Sequence, residues 1–124
     1  MFTLICYLRH DYWNHAFEVE ICKAKTVAAL RDATKEKMRP EFDDISADSL
    51  PLWKASVLIN RDLKESVEAL NLVNGDSLDF NKTLSDIFSS GLEKNHIHII
   101  FDRPYSGELY LPMSIQWYIF SLNR

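Results

Sequence analysis

The sequence is poor in glycine, in cysteine and in net positive charge. Its 124 residues contain three glycines, and Gly75, Gly91 and Gly107 lie too far apart to form a glycine-rich phosphate-binding loop. The net charge of -4 argues against a nucleic-acid-binding surface, because contacts to phosphate groups need a basic excess. We therefore expect no nucleic-acid partner and no cofactor.

The two cysteines do not predict a disulfide. Cys6 is in phase with Leu4 and Leu8 on a predicted strand and is expected to be a small core residue. Cys22 is out of phase with Ile21 and should point to the opposite face. A bridge between the two is not expected, so the redox compartment stays open.

Arrangements of side chains that carry catalysis are also missing. No Ser-His-Asp or Cys-His pairing is suggested, and the acidic run from Glu41 to Asp48 lacks the glycine and spacing of a calcium loop. His96 and His98 share a strand face and could hold a metal ion, but no third ligand is indicated. The pattern favours structural or surface histidines and a protein that is not an enzyme.

Hydrophobic runs are short. The N-terminal run Phe2 to Leu8 has no basic segment before it and ends at Arg9, which is typical of a strand rather than a secretory signal. The apolar C-terminal tail, Tyr105 to Arg124, has too few residues after Met113 to cross a bilayer as a helix. No membrane span is expected in this chain of one domain.

The rest of the chain is organised around the segment from Thr26 to Ser56. Apolar residues at helical spacing follow Thr26, a suitable N-cap, and Pro40 predicts that the helix ends near Met38. A short acidic loop leads into a strand, Leu50 to Val57. Such a short helix needs a sheet to cover.

Three more strands are predicted, and they are Phe2 to Leu8, Ala16 to Ile21, and His96 to Phe101. In the last of these, Ile97, Ile99 and Phe101 should point inward. Short helical segments are expected around Leu63, Val67 and Leu70, in an insertion, and at Thr83 to Phe88. The order of elements predicts an α+β protein with a ubiquitin-like β-grasp fold, in which one main helix covers a mixed sheet.

Several ordered pieces of the chain resemble the N-terminal ubiquitin-like domain of Crinkler effectors, which are proteins of oomycetes and fungi. The pieces are Leu4-Ile5-Cys6, Ala16-Phe17-Glu18-Val19-Glu20-Ile21, Thr26-Val27-Ala28-Ala29-Leu30-Arg31-Asp32-Ala33, Phe42-Asp43-Asp44-Ile45, Ala47-Asp48-Ser49-Leu50, Leu84-Ser85-Asp86-Ile87-Phe88 and Ile97-His98-Ile99-Ile100. We predict a ubiquitin-like Crinkler domain over residues 1–104 and an apolar tail over 105–124, with no separate effector domain.

The Crinkler signature L-x-L-F-L-A-K, tied in oomycetes to translocation, corresponds here to Leu50-Pro51-Leu52-Trp53-Lys54-Ala55-Ser56. Leu50, Leu52 and Ala55 fit, and Trp53 replaces another aromatic residue. Lys54 and Ser56 do not fit. The Leu-x-Leu-Trp form resembles the fungal branch, and the segment is either a transport signal or a core strand.

The resemblance implies a secreted effector that acts in a host cell, including the host nucleus, by delivery or by binding proteins. Enzymatic activity in the family resides in a C-terminal domain, which we do not expect in this chain. Conjugation in the manner of ubiquitin is disfavoured, because no glycine follows Gly107. The alternative is an intracellular ubiquitin-like adaptor or assembly module.

Strand alternation predicts a partner surface. If Leu50 and Leu52 point inward, Trp53 points outward, and His98 and Ile100 do so on the last strand. These three side chains would form an exposed patch for host proteins or for further copies of the chain. Alternatively, the C-terminal tail covers the patch, or itself faces a partner, or is a disordered remnant.

Overall fold

A computed structural model describes residues 1–73 and 76–103. These residues form strands β1 (Phe2–Leu8), β2 (Phe17–Ile21), β3 (Leu52–Leu58) and β4 (His96–Phe101), and helices α1 (Val27–Lys37), α2 (Leu63–Glu68) and α3 (Leu84–Ile87). Short 3-10 helices lie at Trp13–His15 and Ala47–Ser49. The strand order is β2-β1-β4-β3. The two central strands are parallel and the outer pairs are antiparallel.

This mixed sheet with one main helix confirms the predicted α+β class and is consistent with the ubiquitin-like β-grasp. Helix α1 begins where the sequence indicated. The Thr26 hydroxyl oxygen accepts a hydrogen bond from the Ala29 backbone N–H at 3.4 Å, which satisfies one of the free donors of the first turn. The helix ends before Pro40, which has no N–H to continue it.

The main hydrophobic core lies between α1 and the sheet. Val27 and Leu30 of α1 are completely buried in it. The other members come from all four strands, from the segment after α1 and from α3, and they are Leu4, Cys6, Val19, Ile21, Phe42, Ile45, Leu50, Leu52, Leu84, Phe88, Ile99 and Phe101. We call this set the helix-side core.

A second core lies on the opposite face of the sheet. It contains Tyr7, Trp53, Leu63, Val67, Ile97 and Ile100. Leu63 and Val67 come from α2, so the region predicted as an insertion closes the sheet face that α1 leaves open. We call this set the back-side core. The back face is therefore covered over β3 and β4, whereas Glu18 and Glu20 of β2 stay exposed on it.

The predicted alternation in β4 is wrong at one position. Ile99 and Phe101 lie in the helix-side core as expected, but Ile97 packs in the back-side core. The β3–β4 register shifts between Lys54 and Val57, opposite His98, and an irregularity of this kind puts the residues on its two sides out of phase.

The predictions for the cysteines are confirmed, since Cys6 is buried, Cys22 is exposed and both are free thiols. Within residues 1–73 and 76–103, no helix is long and apolar enough to cross a membrane. The prediction of an apolar tail at 105–124 and of a boundary near residue 104 lies outside the described residues.

Candidate functional site

The segment that corresponds to the translocation signature is built into both cores, with Leu50 just before β3 and Leu52 to Ser56 on it. Leu50 and Leu52 are completely enclosed in the helix-side core, and Trp53 lies in the back-side core. The Trp53 indole N–H donates a hydrogen bond to the Val73 carbonyl oxygen at 2.9 Å, which ties the strand to the chain that follows α2. The best-matched apolar positions of the signature thus hold the domain together.

The remaining positions of this segment are more accessible. Lys54 and Ser56 are exposed on β3, and Ala55 is half-buried against the back-side core. The Lys54 ammonium nitrogen lies 5.6 Å from the centre of the Phe88 ring, within the range of a cation–π contact. Lys54 and Ser56, which do not fit the oomycete signature, are therefore the two residues of this segment that are fully exposed.

The predicted partner patch is not exposed. Trp53 is 4% exposed, His98 5% and Ile100 0%. Leu63 and Val67 of α2 pack in the same cluster as Trp53 and Ile100, so an element of the domain itself covers this sheet face. The alternation argument placed Trp53 on the correct face, but it could not reveal that α2 closes that face.

His98 is held by two hydrogen bonds to the backbone. Its Nδ1 accepts from the Ile5 N–H at 3.0 Å, and its Nε2–H donates to the Glu93 carbonyl oxygen, with 2.8 Å between the heavy atoms. This pairing uses both ring nitrogens. His96, by contrast, contacts the Lys94 carbonyl and the Glu93 carboxylate. Among the described residues, no three metal-ligating side chains converge.

Two buried groups, the Cys6 thiol and the Tyr7 hydroxyl, are held in their protonated forms. Burial raises the pKa of the Cys6 thiol to about 12, with a smaller opposing effect from the Thr34 side chain. Burial, with Asp11, Glu68 and Glu65 nearby, raises the pKa of Tyr7 to about 12. Neither group is activated as a nucleophile near neutral pH.

An open groove runs beside β2 and was not foreseen from the sequence. It has a volume of about 440 Å³ and is lined by Glu18, Val19, Glu20, Ala33, Glu36 and Lys37. The alternation Glu-Val-Glu in β2 is the sequence signal that its carboxylates face away from the core. That β2 forms an edge beside α1 follows only from the pairing of distant strands.

Comparison with known proteins identifies the family. The profile of the Crinkler effector protein N-terminal domain matches residues 2–102. A curated relative, Crinkler effector protein 1 of Rhizophagus irregularis, is 28% identical over 104 residues, which is 84% of this chain. The match spans only 22% of that relative's own length. The family profile covers most of the chain and the β-grasp fold agrees with it, so this chain belongs to the Crinkler effector N-terminal domain family.

Proposed function

We propose that this chain is a secreted, effector-type protein whose ubiquitin-like domain serves in delivery to a host cell and in binding proteins there, without catalysis of its own. The observation that carries the proposal is the family match over residues 2–102. The name of the relative supports an effector role.

We assign the signature segment two separate roles. Leu50, Leu52 and Trp53 stabilise the domain from within, because they fill the two cores. Lys54 and Ser56 are exposed on β3, and a delivery partner would contact these two side chains. The distinction matters for experiments, because loss of uptake after a change in a buried leucine is also the result expected from unfolding.

The test is secretion and uptake of the chain carrying a fluorescent reporter, in a fungal expression host and then on plant cells. The double variant Lys54→Ala/Ser56→Ala should fold normally and lose uptake. The matched control is Lys82→Ala/Ser66→Ala, which changes the same residue types at exposed positions outside β3. Uptake equal to wild type in the Lys54/Ser56 variant would show that delivery does not depend on contacts with these two side chains.

The same experiment distinguishes the effector role from the alternative class of function. A chain that stays inside the producing cell, although folded by circular dichroism, would be an intracellular ubiquitin-like adaptor or assembly module. Reporter signal in the medium and then in the plant cell or its nucleus supports the effector role.

A further inference from the structure

Strand β2 presents an edge that no other described strand pairs with. In the part of the chain that the structure describes, β2 is the outermost strand and pairs only with β1. The other outer strand, β3, is partly covered, because the Leu52 carbonyl oxygen on its edge accepts a hydrogen bond from the Leu78 N–H at 2.7 Å. An unpaired edge exposes a row of backbone donors and acceptors that an extended chain can join.

The groove between β2 and α1 gives this edge two different sides. Val19, which is 2% exposed, and the half-buried Ala33 form an apolar floor toward α1. Glu18 and Glu20 alternate with Val19 and so point to the other face of the sheet. A strand added to β2 would place every second side chain over the apolar floor and the others beside the two carboxylates.

The charged side chains of the groove indicate the sign of the charge that its occupant carries. Glu18 and Glu20 are exposed and form no ion pair with any residue of the described ranges, whereas Glu36 is paired with Arg39 at 3.5 Å. Among the described residues, Lys37 of α1 is the single cation of the lining, so the groove carries more carboxylates than cations. Opposite charges on neighbouring strands stabilise the pair.

We propose that the β2 edge binds an extended segment of a partner protein in which basic residues alternate with small apolar ones. The basic side chains pair with Glu18 and Glu20, the apolar ones lie over Val19 and Ala33, and the backbone adds a fifth strand. This deepens the protein-binding part of the proposed function, but it does not depend on secretion or uptake.

The test uses a fluorescein-labelled synthetic peptide of nine residues in which valine and lysine alternate, with binding followed by fluorescence anisotropy. Glu18→Gln/Glu20→Gln should weaken binding about tenfold, since two charge pairs are lost. The control Glu41→Gln/Asp44→Asn changes the net charge equally at exposed positions far from β2 in the chain and should bind as wild type. Raised salt should weaken binding.

Two peptides with methylated backbone nitrogens test the strand addition itself. One carries N-methyl groups on the valines and the other on the lysines. Because successive N–H groups of a strand point in opposite directions, one peptide should lose binding and the other should retain it. Equal binding of both, or loss of both, would overturn the added strand.

The location is read from backbone amide chemical shifts, which should move in β2 and in the second half of α1. Shifts confined to α2, or equal affinity of the Glu18/Glu20 variant and its control, would refute the proposal. So would a β2-mediated dimer that excludes the peptide in sedimentation experiments. These results are independent of the uptake assay, so the binding site and the delivery role can fail separately.

Discussion

His98 holds together three parts of the chain that are distant in sequence. It lies on β4, accepts from the β1 backbone at Ile5 and donates to the segment before β4 at Glu93. The ring replaces a backbone partner at the point where the sheet register is irregular. We infer that this histidine is a structural residue of the sheet and not a partner contact.

Substitution of His98 should therefore destabilise the domain. His98→Phe keeps most of the buried volume but leaves the Ile5 N–H without its acceptor, so we expect a loss of about 1–3 kcal/mol in the free energy of unfolding. The measurement is urea denaturation followed by circular dichroism. His15→Phe, at an exposed position of the hairpin turn, is the control. Equal stability of the two variants would show that the His98 bonds contribute nothing.

The two thiols should differ sharply in reactivity. Cys22 is exposed, whereas Cys6 is buried and its pKa is raised to about 12. At pH 8, one thiol per native chain should react rapidly with Ellman's reagent, and a second only in denaturant. In Cys22→Ser, the rapid phase should disappear. A rapid phase that survives in this variant would mean that Cys6 is accessible.

Alkaline pH should lower the stability of the domain. The pKa of Cys6 rises from 9.0 to about 12 and that of Tyr7 from 10.0 to about 12. In this interval the unfolded chain has released protons that the folded protein retains, so the free energy of unfolding falls as pH rises. Urea denaturation at pH 8, 9.5 and 11 measures the slope. Cys6→Ala should reduce that slope by the contribution of one titrating group. An unchanged slope would contradict the raised pKa of Cys6.

Helix α2 is short, but it supplies two completely buried residues to the back-side core. It has six residues and no side-chain N-cap, yet Leu63 and Val67 are both completely buried in the back-side core. An isolated helix of this length is unstable in water, so its structure depends on the sheet beneath it. The covered sheet face depends on α2 in turn.

We expect Leu63→Ala to lower the free energy of unfolding by about 2–5 kcal/mol, since it leaves a cavity beneath α2. Leu58→Ala, at a position on β3 that is 51% exposed, should cost much less. Hydrogen exchange in the Leu63 variant should show early loss of protection at the Trp53 indole N–H, which is bonded to Val73. If both leucine variants are equally stable, α2 is not anchored as described.

The elements differ in how far local sequence could predict them. Thr26 and Pro40 mark the ends of α1 because capping and proline chemistry act within a few residues, and both ends were found. The side on which Ile97 packs depends on the register between β3 and β4, which local alternation does not contain. The covering of Trp53 depends on where α2 docks, and the same alternation is compatible with a bare face.

At the scale of the whole molecule, the two cores predict that the buried positions of the signature segment tolerate little change. Leu52 and Trp53 are neighbours in sequence but fill opposite sides of the sheet. We expect Trp53→Ala to cost about 3–5 kcal/mol and to lower soluble yield, while Lys54→Ala stays within about 1 kcal/mol of wild type. Thermal denaturation of the two purified variants is the measurement. Similar melting temperatures would argue against the back-side core.

The same arrangement limits what a binding experiment with Trp53 can show. Because the ring is buried, loss of a partner in Trp53→Ala follows from unfolding as readily as from loss of a contact. The groove beside β2 could not be predicted from the sequence. Among the described residues β2 is an edge strand because the distant strand β4 pairs with the other side of β1, and local patterns do not contain that pairing.

The parallel pairing of β1 with β4 has a mechanical consequence. Residues Cys6 to Leu8 pair with Ile99 to Phe101, and the Arg9 N–H extends the contact to the Phe101 carbonyl oxygen. A pull applied before Phe2 and after Phe101 runs along both strands in opposite directions, so these bonds carry the load together rather than breaking one at a time. We expect a domain stretched between these two points to resist until the bonds between β1 and β4 break together.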